Sequence, residues 1–173
     1  MAQDLVMIID GSSLVYRAFF ALPPLATKSG IETGAVHGFM NMLLRLLDEK
    51  QPTAVAVAFD KSRITFRNGV YDAYKAHRKP TPPELSSQFP LVMELLAAMG
   101  IPAIELDGYE ADDIIGTLAA RYAAQQKKVL VATGDKDALQ LIRDGVDVLL
   151  TKKGISELEL YDEAQFFARY QMK

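Results

Sequence analysis

The stretch "DLVMIIDGSSLVYRAFFAL", residues 4–22, decides the fold class. Its apolar run ends at Asp10, and apolar residues then recur at helical spacing. This pattern predicts a buried strand followed directly by a helix, with Ser12 or Ser13 as the helix N-cap. A strand that is apolar at successive positions has both faces covered, which is typical of a parallel sheet between layers of helices.

The same alternation of strand and helix continues along the chain. Further strands are predicted in "TAVAVAFD" (53–60), "IPAIEL" (101–106), "KKVLVATGD" (127–135) and "VDVLLT" (146–151), and a last one, at an edge, in "ISELELY" (155–161). Helices are predicted in "TGAVHGFMNMLLRLLDEK" (33–50), "PPELSSQFPLVMELLAAMG" (82–100), from Glu110 onward, in "KDALQLI" (136–142) and in "DEAQFFARYQMK" (162–173). We therefore expect an α/β fold, with a mostly parallel central sheet of about five strands and helices on both faces.

The composition of the chain excludes several classes of protein. Half of the 173 residues are apolar, which is enough for one domain with its own core, and the net charge is −3. The absence of cysteine excludes disulfides, thiolate metal ligands and a cysteine nucleophile. No apolar run approaches the roughly 20 residues needed to span a bilayer, and the N-terminus lacks a signal-peptide pattern. We expect an intracellular protein with no membrane among its partners.

Acidic residues follow four of the predicted strands. They are Asp10, Asp60, Glu110, Asp112, Asp113, Asp135 and Asp137. Because parallel strands share one carboxyl end, where open α/β sheets bind ligands, these acids are expected to lie together. Each alone could be a turn residue or a favourable charge at a helix N-terminus. Together they would repel one another, so the whole set favours a bound cation.

A hard divalent cation fits this set best. Carboxylate oxygens suit Mg²⁺ or Mn²⁺, and no His or Cys cluster indicates zinc. Seven acids exceed the needs of one ion, so we expect two, as in nucleases and phosphatases that activate water and stabilise a phosphate.

The sequence does not support the other common kinds of nucleotide-binding or catalytic site. There is no P-loop and no GxGxxG loop, Ser12 stands where an aspartyl-phosphate phosphatase needs a second Asp, and neither His37 nor His77 lies in a triad context.

A basic segment separates the second strand from the next helix. Residues 61–80 hold six Lys and Arg and one acid, a charge of +5 in a chain of net charge −3. Basic and aromatic residues are interleaved in it, at Phe66, Arg67, Tyr71, Tyr74, Lys75, Arg78 and Lys79. Cations bind phosphates and aromatic rings stack on unpaired bases, so we expect a polyanionic substrate, with Tyr16 and Arg17 adding to its binding surface. A solvated surface loop is the simpler alternative.

Four stretches together resemble one known family. They are "IIDGSSLVYRAFFALPPL" (8–25), "AVAFDKSRITFRNGVYDAYKAHRKPTPPEL" (56–85), "GYEADDIIGTLA" (108–119) and "VLVATGDKDALQLI" (129–142). In this order they resemble the N-terminal part of the bacterial 5′-nuclease family, which comprises the 5′→3′ exonuclease domain of DNA polymerase I and the flap endonucleases. The resemblance runs through nearly the whole chain. It implies a PIN-like three-layer fold and hydrolysis of DNA at 5′ ends, flaps and nicks in replication and repair.

The resemblance also implies roles for individual residues. The first ion would be held by Asp10, Asp60, Glu110 and Asp112, and the second by Asp112 or Asp113 together with Asp135 and Asp137. Asp10 and Asp112 would thus act in catalysis, and Lys75 and Arg78 match residues that contact the scissile phosphate. These two lie in an arch from about residue 61 to 89 that closes over the 5′ single strand. Tyr16 and Arg17 match a DNA-contacting position.

The family pattern continues beyond this sequence. In the family, a helix-hairpin-helix part with further Asp residues follows, so we expect residues 1–173 to be the N-terminal part of a nuclease domain, with a polymerase region in the parent protein. The expected protein is a monomer in the bacterial cytoplasm, at the nucleoid. Two alternatives stay open: a PIN-like ribonuclease, and a metal- and DNA-binding fragment whose chemistry needs the missing part.

Overall fold

The computed structural model describes residues 4–61, 80–152, 154 and 156–171. The strands are β1 (Leu5–Asp10), β2 (Ala54–Ala58), β3 (Ala103–Ile104), β4 (Lys128–Thr133), β5 (Val146–Thr151) and β6 (Leu158–Tyr161). The α-helices are α1 (Gly11–Ala21), α2 (Gly34–Lys50), α3 (Pro83–Ser86), α4 (Phe89–Ala98), α5 (Ala111–Ala124) and α6 (Glu163–Tyr170). A 3₁₀ helix spans Lys136–Leu141.

The strands of the described residues form one sheet in the order β3-β2-β1-β4-β5-β6. Neighbouring strands from β3 to β5 run parallel, and β6 pairs antiparallel with β5 at the edge. The expected mostly parallel sheet is therefore confirmed, and so is the edge strand. The first strand of the sequence lies near the centre, which brings the residues that follow β1, β2 and β4 to one end of the sheet.

Helices cover both faces of this sheet. Met7 and Ile9 of β1 pack with α1, α2 and α4, whereas Val6 and Ile8 pack on the other face with α5. Because successive strand side chains point to opposite faces, one apolar run supplies both cores. Among the described residues, no helix has the length and apolar character that crossing a bilayer requires.

Two local predictions need correction, and a third, which is confirmed as a short helix, gains its helix type. The N-cap of α1 is Asp10 rather than Ser12 or Ser13, because its side chain accepts from the backbone N–H of Ser13. The predicted helix over 82–100 is divided into α3 and α4, and a proline stands in the first turn of each. Proline suits a helix start because it lacks the N–H that later positions need. The stretch "KDALQLI" forms a 3₁₀ helix.

Gln88 lies at this division and caps another helix. Its Oε1 accepts from the backbone nitrogens of Ala35 and Val36, at 2.7 and 3.2 Å. Thr33, the N-cap residue of α2, makes no side-chain capping bond. The fully buried Gln88 side chain thus satisfies two donors of α2 from a segment 53 residues away.

Candidate metal and nucleic-acid site

Asp10 is the most buried acid at the carboxyl end of the sheet. It is the last residue of β1 and only 4% exposed. Its Oδ1 accepts from the Ser13 nitrogen at 2.9 Å, and its Oδ2 accepts from the Thr133 hydroxyl at 2.7 Å. The pKa of Asp10 is raised from 3.8 to about 6, mainly by burial and also by the charges of Asp112 and Asp60, which together outweigh the lowering effect of these two hydrogen bonds.

Asp60 connects the end of β2 to the start of α5. It is exposed, and its Oδ1 accepts from the backbone nitrogen of Ala111 at 2.8 Å. Its own backbone nitrogen donates to Ser12 Oγ at 3.0 Å, which ties it to α1. This carboxylate therefore lies where α1 and α5 begin, next to the end of β1.

The acids of "YEADD" surround the N-terminus of α5. Glu110 is the N-cap residue, 6% exposed, and it forms a reciprocal capping box with Asp113. In that box the backbone nitrogen of Glu110 donates to Asp113 Oδ2 at 3.0 Å. Asp112 is exposed in the first turn, close enough to Asp10 for its charge to act on that carboxyl group. Acids in this position also interact favourably with the helix dipole.

Asp135 and Asp137 follow β4. Asp135 is half-buried and caps the 3₁₀ helix, because its Oδ1 accepts from the Asp137 nitrogen at 2.9 Å. Its backbone nitrogen donates to Thr133 Oγ1 at 3.0 Å, whereas Asp137 is exposed. The structure thus places the acids that follow β1, β2 and β4 at one end of the sheet, as expected.

The carboxylates of the described residues do not form a preassembled metal cage. Within 4–61, 80–152, 154 and 156–171, no three His, Cys, Asp or Glu side chains are grouped so that they could hold an ion. Asp10, Asp113 and Asp135 each accept a hydrogen bond from a backbone nitrogen at the start of a helix. A carboxylate has about four acceptor sites, so capping and metal binding are compatible. The all-oxygen donor set fits a hard divalent cation, although its side chains would have to turn toward a shared ion.

Tyr16 and Arg17 lie beside these acids on α1. Both line a cleft of about 610 Å³, together with Ser13, Phe20 and Gly154. The Tyr16 hydroxyl is hydrogen-bonded to Thr81, while the Arg17 Nη1 donates to the Lys152 carbonyl oxygen at 3.2 Å. The buried Nε of Arg17 has no hydrogen-bond partner among the described residues.

The remaining predicted nucleic-acid contacts lie outside the described residues. They are Phe66, Arg67, Tyr71, Tyr74, Lys75, Arg78 and Lys79. Of the predicted arch, the structure describes Lys61 and residues 80–89. Lys61 forms an ion pair with Asp107, at 2.8 Å between Nζ and Oδ2.

Hydroxyl groups beneath the acids were not predicted as part of the site. Ser12 Oγ accepts from the Asp60 nitrogen, Ser13 Oγ accepts from the Gly134 nitrogen, and Thr133 contacts both Asp10 and Asp135. They join α1 to the ends of β2 and β4. The sequence does hold a signal for them, since each lies within three residues of an acid at a strand end.

The sequence of this chain is similar to one described protein family over nearly its whole length. The family described as "5'-3' exonuclease, N-terminal resolvase-like domain" matches residues 5–171. The DNA polymerase I of Geobacillus stearothermophilus is 52% identical over 168 residues, which cover 97% of this chain and 19% of that protein. The chain thus spans about a fifth of the length of the curated relatives that it matches.

Comparison with solved structures concerns the fold. A bacteriophage T5 protein co-crystallised with metal ions superposes with a TM-score of 0.71 at 19% identity, over 97% of this chain and 61% of that one. The bacteriophage T5 flap endonuclease in complex with DNA and metal ions gives a TM-score of 0.65 at 18% identity, with the same coverage of both chains. The PIN-like three-layer fold that the resemblance implied is confirmed.

Proposed function

The chain belongs to the family of 5′-3′ exonuclease N-terminal, resolvase-like domains, and from this premise we propose that it acts in a bacterial DNA polymerase I. It would hydrolyse DNA phosphodiester bonds at 5′ ends, flaps and nicks during replication and repair, in the cytoplasm at the nucleoid. Relatives such as the 52% identical polymerase support this role. Because the chain covers about a fifth of such relatives, further nuclease and polymerase regions would follow in the parent protein.

A divalent cation, Mg²⁺ or Mn²⁺, would be held by the acids at the carboxyl end of the sheet. The proposed first set is Asp10, Asp60, Glu110 and Asp112, and the second is Asp112 or Asp113 with Asp135 and Asp137. A bacteriophage T5 protein with this fold was co-crystallised with metal ions, which supports the binding of a metal but does not select these residues. When bound, such cations activate water and stabilise negative charge on the phosphate.

The single observation that carries this proposal is the environment of Asp10. One carboxylate would suffice to cap α1, and a capping acid need not have other acids beside it. Asp10 is nevertheless buried near the negative charges of Asp112 and Asp60, which come from two other elements. Burying a carboxylate beside like charges destabilises the folded state unless a cation joins them. A bound metal supplies that charge.

The substrate would lie across the acids and the α1 cleft. Arg17 offers a cation and Phe20, 69% exposed, offers an apolar ring beside it. Such a pair suits a phosphate and an unstacked base. We propose that Tyr16 and Arg17, with the basic and aromatic residues named above between Phe66 and Lys79, bind the 5′ strand, and that Lys75 and Arg78 contact the scissile phosphate.

Cleavage of a 5′-labelled flap DNA in Mg²⁺ or Mn²⁺ tests the proposal. Asp112→Ala is expected to abolish cleavage, whereas Asp48→Ala is the matched control because Asp48 is an exposed acid near the end of α2, remote from the site. A single-stranded RNA of the same sequence is expected to be a poor substrate. Cleavage that survives Asp112→Ala, or RNA cleavage as fast as flap cleavage, would contradict the proposal. Metal binding without any cleavage would favour the alternative of a binding fragment.

A further inference from the structure

We propose that Thr133 is a positioning residue that holds the Asp10 carboxylate and the backbone of Asp135 in fixed positions relative to each other. The inference rests on the proposed metal-dependent function and assigns a residue outside the acid set. Thr133 ends β4, the strand that pairs with β1, and its side chain is 1% exposed. It would contact neither the cation nor the substrate, and would act through the carboxylates.

The hydrogen bonds of Thr133 have fixed directions. The backbone nitrogen of Asp135 can only donate, so Thr133 Oγ1 is the acceptor of that 3.0 Å bond. The Asp10 carboxylate, when ionised, can only accept, so the hydroxyl hydrogen of Thr133 points at Asp10 Oδ2 across 2.7 Å. A hydroxyl group offers one donor and two acceptor sites, and this one uses both kinds. A single buried group therefore connects the two proposed ligand sets.

The opposite side of Asp10 is also fixed. The Ser13 nitrogen donates to Asp10 Oδ1, while Ser13 Oγ accepts from the Gly134 nitrogen at 3.0 Å. The chain after Thr133 is packed tightly there, since a Cβ on Gly134 would lie 2.8 Å from Ser13 Oγ. With both oxygens bonded, the plane of the Asp10 carboxylate is set by neutral donors, and the loss of Thr133 would release one of its two constraints.

The two donors to Asp10 are neutral, so they leave its negative charge in place. A Lys or Arg in place of Thr133 would also orient Asp10, but its positive charge would compete with a cation. A hydroxyl group orients the carboxylate and leaves its negative charge in place. Groups that orient metal ligands from outside the ligand set typically change metal affinity by about 10- to 100-fold when mutated.

The test compares three variants of this chain by calorimetric titration with Mn²⁺. Thr133→Val removes the hydroxyl group at nearly constant volume, and Thr133→Ser restores it. Thr151→Val is the matched control, because Thr151 is also a buried strand-end threonine, 4% exposed, and its hydroxyl donates to the Thr133 carbonyl oxygen at 3.4 Å rather than to a carboxylate. Circular dichroism and melting in EDTA check that each variant folds.

We expect Thr133→Val to weaken Mn²⁺ binding about tenfold or more, and Thr133→Ser and Thr151→Val to stay within about threefold of the wild type. A loss in Thr133→Val no larger than in Thr151→Val, or a failure of Thr133→Ser to restore affinity, overturns the inference alone. A wild-type chain that binds no Mn²⁺ overturns the proposed function as well. If Thr133→Val does not fold, Thr133→Ala against Thr133→Ser makes the same comparison without adding a group.

Discussion

Asp10, at the carboxyl end of the sheet, has different partners from the acids at the amino end. At the amino end, Lys128 Nζ lies 2.9 Å from Asp147 Oδ2, and Lys127 Nζ lies 3.8 Å from Asp4 Oδ2. At the carboxyl end, Asp10 accepts from a backbone N–H and a hydroxyl group, and among the described residues the charges of Asp112 and Asp60 act on it. Asp147 and Asp4 are thus paired with lysine, whereas the two oxygens of Asp10 accept from neutral donors.

We interpret Asp147 and Asp4 as structural charges, and we propose that Asp10 serves to hold a cation. An internal ion pair such as Asp147 with Lys128 is complete without a ligand. Asp10 is buried beside like charges, an arrangement that lowers stability in the absence of a cation. The comparison therefore predicts that mutations at the carboxyl end affect activity, pH dependence and metal response, whereas mutations at the amino end affect stability alone.

The largest expected effect is on cleavage. Asp10→Asn should lower the rate of flap DNA cleavage in Mg²⁺ about 10³-fold or more, because metal ions stabilise such transition states by several kcal/mol. The amino-end control, Asp147→Asn, should stay within about twofold of the wild type. Rates from a 5′-labelled flap measure both. Equal rates for Asp10→Asn and the wild type would contradict the proposed difference between Asp10 and the amino-end acids.

The pH dependence of stability should come next in size. Because the pKa of Asp10 rises from 3.8 to about 6 on folding, the folded state binds its proton more tightly than the unfolded state. Its contribution to stability is full below pH 3.8 and is lost as pH rises through 6, a change of about 3 kcal/mol. Urea unfolding without metal should show this change in the difference between the wild type and Asp10→Asn.

At neutral pH, replacing this buried acid should therefore stabilise the metal-free protein. Asp10→Asn should be more stable than the wild type at pH 7.5 in EDTA, and the advantage should shrink toward pH 4. The advantage arises because the variant buries no charge. A variant that is less stable at pH 7.5, or a difference that does not change with pH, would contradict the stated environment of Asp10. Asp147→Asn provides the amino-end reference.

Metal should stabilise the wild type more modestly. At ten times its dissociation constant, a ligand that binds only the folded state adds about 1.4 kcal/mol to the free energy of unfolding. Mg²⁺ or Mn²⁺ should therefore raise the melting temperature of the wild type and of Asp147→Asn, and raise that of Asp10→Asn much less. Ca²⁺-free buffers with matched ionic strength keep salt screening equal. Equal shifts in all three proteins would place the cation elsewhere.

The smallest effect should be at the amino end. Lys128→Gln should lower the free energy of unfolding by about 0.5–1 kcal/mol, because the pair with Asp147 is partly exposed. The loss should shrink in high salt, which screens the wild-type pair. Urea unfolding at low and high ionic strength measures it. If the loss of unfolding free energy in Lys128→Gln depended on Mg²⁺ instead, the amino-end pair would also respond to metal, which would contradict the proposed difference.

Much of the fold could be predicted because its signals are local. The runs ending at Asp10 and Thr133 are apolar at successive positions, so they indicate strands covered on both faces and place acids at their ends. The edge strand β6 was also predicted. The division of the helix over 82–100 was not, although Pro90 lies in the first turn of α4.

The contacts that escaped prediction, in the site and in the rest of the fold, join residues that are distant in sequence. Thr133 bonds to Asp10 across 123 positions, and Gln88 caps α2 across 53. Nothing in the local pattern of either residue specifies such a partner. The capping role of Asp10 was assigned to the wrong side chain, because Ser12, Ser13 and Asp10 are all good N-caps and the choice is made by where the helix begins.

The most direct test of cation binding at Asp10 is the position of a bound ion. A crystal of this chain soaked in Mn²⁺ would show the ion by its anomalous scattering. We predict a peak within ligand distance of Asp10 and at least one of Asp60, Glu110 and Asp112. A peak at Asp147 or Asp4 instead, or no peak at an Mn²⁺ concentration that shifts the melting temperature, would contradict the distinction between the two ends of the sheet.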